Sequence, residues 1–87
     1  MSTESTNKSQ TDTTVTLYVV HPCPLCDGAR RWLAQHGVSY VERDVANDFG
    51  ALRRMYELTN QRFVPVFEYN GRALVRPTDA QLSDLLL

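Results

Sequence analysis

Apolar and polar positions alternate along this chain with two different periods. Val15-Thr16-Leu17-Tyr18-Val19-Val20 is β-branched or apolar almost throughout, the pattern of a buried central strand. Leu25, Cys26, Ala29, Trp32, Leu33 and His36 then fall on one side of a 3.6-residue period, which predicts an amphipathic helix from Pro24 to His36. Pro24 suits the first helical turn, where a missing N–H costs little, and Gly37 is placed as a left-handed cap. A second strand is predicted over Val38 to Val45. Asn47 and Asp48 stand ready to cap a second helix with Phe49, Leu52, Met55 and Tyr56 as its inner stripe. Phe63 to Tyr69 and Ala73 to Val75 flank Asn70-Gly71, a strong hairpin signal. Thr78 and Gln81, three residues apart, form a capping box that opens a last helix through Leu82, Leu85 and Leu86. The predicted order is strand, helix, strand, helix, strand, strand, helix. A leading βαβ unit implies two parallel strands, and the hairpin adds an antiparallel edge. The expectation is an α/β fold, βαβαββα, with a four-stranded mixed sheet flanked by helices in three layers.

Composition narrows this picture. From Ser2 to Thr14 there is no apolar side chain, so Met1–Thr14 is expected to be a flexible polar tail unable to offset its ordering entropy. The domain is then 15–87, small but sufficient for a core of its own. The tail has neither an apolar signal region nor an arginine-rich amphipathic pattern. The net charge of −1 offers no broad electrostatic footprint for nucleic acid, and Arg30-Arg31 and Arg53-Arg54 read as solvated helix faces. No stretch reaches the length of a membrane span. A cytoplasmic monomer without nucleic-acid or membrane partners is the expectation.

The chain has two cysteines, Cys23 and Cys26. They are too few for a disulfide-stapled scaffold or a four-cysteine zinc site. His21 and His36 do not supply the spacing of a Cys2His2 site, so no metal is expected. A CxxC between a buried strand and a helix start, in a βαβ context, is instead a redox signature. The backbone N–H groups and the dipole at the helix start favour a thiolate at Cys23. Cys26, one turn on and deeper, is placed to resolve the mixed disulfide that an attacking Cys23 would form. His21 is either a cation near Cys23 or an exposed loop residue. Pro65, inside an apolar strand pattern, marks an edge or an active-site rim. With Val64-Pro65 in the cis form, the Val64 N–H and C=O would be open to an extended ligand.

Cys23-Pro24-Leu25-Cys26 after a strand, Val64-Pro65 before one, and the βαβαββα order together resemble the glutaredoxin branch of the thioredoxin superfamily. The likeness runs from Val15 to Leu87. It implies a thioredoxin fold, Cys23 as nucleophile, Cys26 as resolving thiol and a cis Val64-Pro65 lining the substrate groove. The implied activity is a dithiol thiol–disulfide oxidoreductase, acting on protein or glutathione mixed disulfides, with no tightly bound cofactor and glutathione as a co-substrate.

Several positions depart from glutathione-using members. Val20 stands where those carry a lysine or arginine, Phe63 replaces the threonine of their Thr-Val-Pro, and Val75-Arg76-Pro77-Thr78 replaces a Gly-Gly pair. The Arg-Pro is similar to glutaredoxin-like redoxins reduced by thioredoxin reductase, so either glutathione or that enzyme is the implied electron source. Arg76 and the N–H groups around Thr78 and Asp79 are candidates for holding a carboxylate. Trp32 and Phe67 read as core or groove wall. Two alternatives belong to other classes: a glutathione-linked [2Fe–2S] carrier using the Cys23 thiolate, and a non-catalytic adaptor using the groove to bind peptide.

Overall fold

The computed structural model describes residues 14–87; the expected tail lies outside the described residues but for Thr14. The elements are β1 (Val15–Val19), α1 (Pro24–Gln35), β2 (Tyr40–Asp44), α2 (Phe49–Thr59), β3 (Val66–Tyr69), β4 (Arg72–Val75) and α3 (Asp79–Leu86). The sheet runs β2-β1-β3-β4. β1 pairs parallel with β2, while β3 is antiparallel to both β1 and β4.

Register assigns the layers. Leu17 lies opposite Phe67, and Tyr18 opposite Val66, so alternation puts Leu17 and Phe67 on one face and Tyr18, Val66 and Glu68 on the other. Phe67 shares a cleft with residues of α1 and α3, which therefore cover the first face. α2 covers the second, where Arg54 meets Glu68 at 2.8 Å and the Tyr18 hydroxyl donates to the same carboxylate. Burial, followed by that bond to Glu68, pushes Tyr18 up to about 12. The expected three-layer α/β architecture is the observed one.

Each helix starts where its capping residue predicts. Asp48 Oδ1 accepts the Ala51 N–H at 3.1 Å, and both halves of the Thr78–Gln81 capping box are formed. Asn47 takes no part in the cap and donates to Asp44 instead. Gly37, at φ 64°, closes α1. Its N–H donates to the Ala34 carbonyl and that of Val38 to the Leu33 carbonyl, a Schellman ending. Asn70 and Gly71 both have positive φ, as a tight primed hairpin turn requires.

Two expectations are corrected. The third strand begins at Val66 rather than Phe63, where the missing proline N–H at 65 interrupts regular pairing. The inner stripe of α2 is also rotated. Phe49 is 86 % exposed and Tyr56 is exposed too, whereas Ala51 and Met55 are fully buried. Of the expected stripe, Met55 is buried and Leu52 packs half-buried against the core, while Ala51 is buried in place of Phe49 and Tyr56. The choice fell to fit: α2 crosses a face already filled by Tyr18 and Val66, and small or flexible side chains close that gap better than a phenyl ring. In α1 the expected stripe holds, with Cys26, Ala29, Trp32 and Leu33 buried, although its ends, Leu25 and His36, are exposed.

Candidate active site

The C-terminal end of β1 delivers the chain through Val20, His21 and Pro22 to the start of α1. Cys23 occupies the N-cap position with extended backbone, φ −158° and ψ 103°. Its sulfur accepts the Cys26 N–H at 3.1 Å, the bond an aspartate or serine oxygen makes at an ordinary helix start. The donors and the dipole there are those that hold an anion. Pro24 fills the first helical position, where no backbone donor is required.

The two thiols differ in exposure. Cys23 is half-buried, and Cys26 has 0 % of its surface exposed. Burial pushes the Cys26 thiol up to about 11, helped by its contact with Cys23 and opposed by the Val20 backbone and the Arg30 charge. Cys26 is therefore a protonated thiol near neutral pH. Among the described residues, no group of three or more His, Cys, Asp or Glu side chains stands together as a metal site.

The Val64–Pro65 bond is cis, and so is His21–Pro22. Half of the expected peptide edge is open. The Val64 carbonyl accepts from Arg76 Nε at 2.8 Å, and the Pro65 carbonyl accepts the Arg76 N–H at 3.0 Å. Arg76 thus grips both carbonyls of the proline turn, from a backbone at φ 47°, and its guanidinium lies 5.0 Å over the exposed Phe63 ring. The Val64 N–H makes no hydrogen bond among the described residues. The carbonyl was expected to be free because nothing in the sequence pairs Val64 with a residue twelve positions on.

The remaining candidates separate. The Thr78 N–H donates to the Gln81 side chain and its hydroxyl oxygen accepts the Gln81 N–H, while Asp79 lines a cleft with Arg76. His21 is exposed and stands beside Arg30. Its ring nitrogens lie 3.4 and 3.5 Å from an Arg30 nitrogen, and Nε2 lies 4.0 Å from Glu42 Oε1.

Arg30, read from sequence as solvated, is a node: it binds Glu42 through two nitrogens, at 2.6 and 3.1 Å, and Asp27 at 2.6 Å. It therefore ties the loop before Cys23, the first turn of α1 and the edge strand β2 together. The Asp27–Arg30 spacing hinted at this; the Glu42 half comes from another strand.

Beside the thiols, a cleft of about 250 Å³ opens between α1 and α3. Leu25, Trp32, Pro65, Phe67 and Leu82 form its apolar wall, and Arg76 and Asp79 lie along it. Trp32 and Phe67 are thus both core and groove wall, as expected.

Comparisons with known proteins agree with this geometry. The glutaredoxin family profile matches residues 15–74. A glutaredoxin-like 8.6 kDa protein from a rubredoxin operon of Clostridium pasteurianum is 26 % identical over 72 residues, 83 % of this chain and 96 % of that one. The crystal structure of the thioredoxin-like protein BC3987 superposes with a TM-score of 0.76 at 25 % identity, covering 83 % of this chain and 99 % of its own. A glutaredoxin from Archaeoglobus fulgidus shares the fold, with a TM-score of 0.76 at 17 % identity over 84 % of this chain and 85 % of its own.

Proposed function

The chain belongs to the glutaredoxin family, and on that premise we propose that it is a dithiol thiol–disulfide oxidoreductase working through Cys23 and Cys26. One observation carries the reading: an accessible sulfur caps a helix and accepts the N–H of a second cysteine that is itself sealed in the core. Cys23, as thiolate, attacks one sulfur of a substrate disulfide. A Cys23–substrate S–S bond forms, the substrate S–S bond breaks, and the first substrate sulfur leaves as thiolate and takes up a proton.

Cys26 then gives up its proton and attacks the Cys23 sulfur. The Cys23–Cys26 disulfide forms, and the second substrate sulfur departs as a thiol. The dithiol has lost two electrons and the substrate disulfide has gained them. Glutathione or a thioredoxin reductase returns the pair. The high Cys26 value keeps the second thiol protonated until the mixed disulfide exists, which separates the two roles. The groove lined by Pro65 and Arg76 supports an extended peptide or glutathione as the substrate backbone, with the Val64 N–H as its donor.

Cys23→Ser and Cys26→Ser test this. Serine is a preferred helix cap, so the first variant should keep its fold while reduction of any disulfide falls to the uncatalysed level. The second should accumulate a covalent Cys23–substrate disulfide visible by mass spectrometry and stop turning over protein disulfides. Equal, modest losses in both would overturn the division of roles. The electron source is read by comparing reduction of the oxidised protein by glutathione with reduction by NADPH and thioredoxin reductase.

A further inference from the structure

The cleft between α1 and α3 lies beside the reacting sulfur rather than over it. Its wall is contributed by Leu25 within the CxxC bracket, by Trp32 two turns further along the same helix face, by Pro65 of the cis bond, and by Phe67 and Leu82. At about 250 Å³ it is smaller than a typical small-molecule pocket of roughly 300–1,000 Å³ and suited to one or two side chains. Leu25 is 56 % exposed at its mouth, an apolar surface with no partner among the described residues.

The polar groups on the same cleft have a direction. Arg76 commits its Nε to Val64, and its two terminal nitrogens make no hydrogen bond among the described residues. Asp79 offers a carboxylate, which suits a peptide N–H. In glutathione the cysteine is flanked by a γ-linked glutamate and a glycine, neither of which carries an apolar side chain to fill such a wall.

We propose that this cleft is a side-chain subsite for protein disulfides: it takes a bulky apolar side chain next to the substrate cysteine, while Arg76 receives a carboxylate of the same segment. The inference rests on the oxidoreductase reading and names the substrate class that site selects. Apolar burial supplies affinity, and the single charge pair sets the direction in which the segment lies.

The test uses two cysteine peptides, each joined to glutathione as a mixed disulfide. In one the cysteine is followed by phenylalanine and glutamate, in the other by two glycines. The reduced protein should favour the first by about tenfold or more in kcat/KM, the discrimination an apolar pocket provides. Replacing the peptide glutamate by glutamine should cost about threefold, as for a partly exposed ion pair. Gly28→Leu plugs the cleft from α1, where a Cβ meets only an Arg31 nitrogen at 3.8 Å, and should bring the preference ratio close to one.

Trp32, the single tryptophan, gives a readout that needs no turnover. Its emission should shift on titration with the phenylalanine–glutamate peptide carrying serine for cysteine, and stay unchanged with the glycine peptide. Equal kcat/KM for the two disulfides overturns the subsite and leaves the oxidoreductase reading standing. If neither disulfide is reduced the oxidoreductase reading fails, and the Trp32 titration alone decides whether the cleft binds the apolar segment.

Discussion

α1 and α2 begin with the same device and serve different ends. At each start a side chain of the cap residue accepts the backbone N–H three positions on, at 3.1 Å in both cases. In α2 the acceptor is the Asp48 carboxylate, and that N–H is the leading cause holding its pKa below the ordinary carboxylate range. In α1 the acceptor is the Cys23 sulfur. A carboxylate there would only finish the helix; a sulfur finishes it and remains a nucleophile. The bodies of the helices differ as well. α1 buries Trp32, Leu33 and Cys26, whereas α2 buries only Ala51 and Met55 and turns Phe49 to solvent. The end that carries the CxxC thus stands on the more deeply anchored of the two helices, the arrangement that lets a site keep its geometry.

The largest test of this contrast concerns the sealed thiol. Site-resolved alkylation of the reduced protein should label Cys23 first, while Cys26 labelling climbs about tenfold per pH unit, roughly a thousandfold from pH 7 to pH 10, since only the thiolate reacts. The direction follows from a value raised to about 11: the thiolate fraction grows throughout that window and levels off only above it. Equal labelling of both cysteines at pH 7 would remove the distinction between attacking and resolving sulfur.

The anchoring of α1 should register next. Leu33 is wholly buried, so Leu33→Ala should cost about 2–5 kcal/mol in urea unfolding. A loss below about 1 kcal/mol would mean that α1 is no better anchored than α2. The two caps come third. Asp48→Ala should cost about 1 kcal/mol by the same measurement while leaving disulfide reduction intact, because that cap holds no chemistry. Smallest of all, Phe49→Ser should lie within about 0.5 kcal/mol of the parent, since its ring is out in solvent. A loss near 2 kcal/mol would restore the stripe that periodicity predicted.

Much of this was legible from local pattern. The element order, the caps at Asp48 and Thr78, the left-handed Gly37 and the Asn70-Gly71 turn all rest on interactions within a few residues, and each was found where it was expected. The CxxC at a strand-to-helix junction was legible for the same reason. What failed to show was non-local or degenerate. On α2 the expected stripe holds at Leu52 and Met55 and fails at Phe49 and Tyr56, because only the surface beneath decides how the helix is turned. The sequence does not mark Arg76, twelve residues away, as the partner of the Val64 carbonyl. For His21 the sequence left open a cation near Cys23 or an exposed loop residue; its contacts with Arg30 and Glu42 come from other elements and carry no sequence signal.

By itself, then, the sequence determined the order of elements, where helices begin, and that two sulfurs stand in a CxxC at a strand-to-helix junction, because periodicity, capping and turn geometry are short-range. Tertiary structure alone decided how deep each sulfur sits, which face of α2 is covered, that Arg76 closes half of the proline edge, and that α1 and α3 leave a cleft beside the thiols. Those outcomes depend on side chains twelve to fifty residues apart meeting across a sheet, and packing density is settled only when all of them are present.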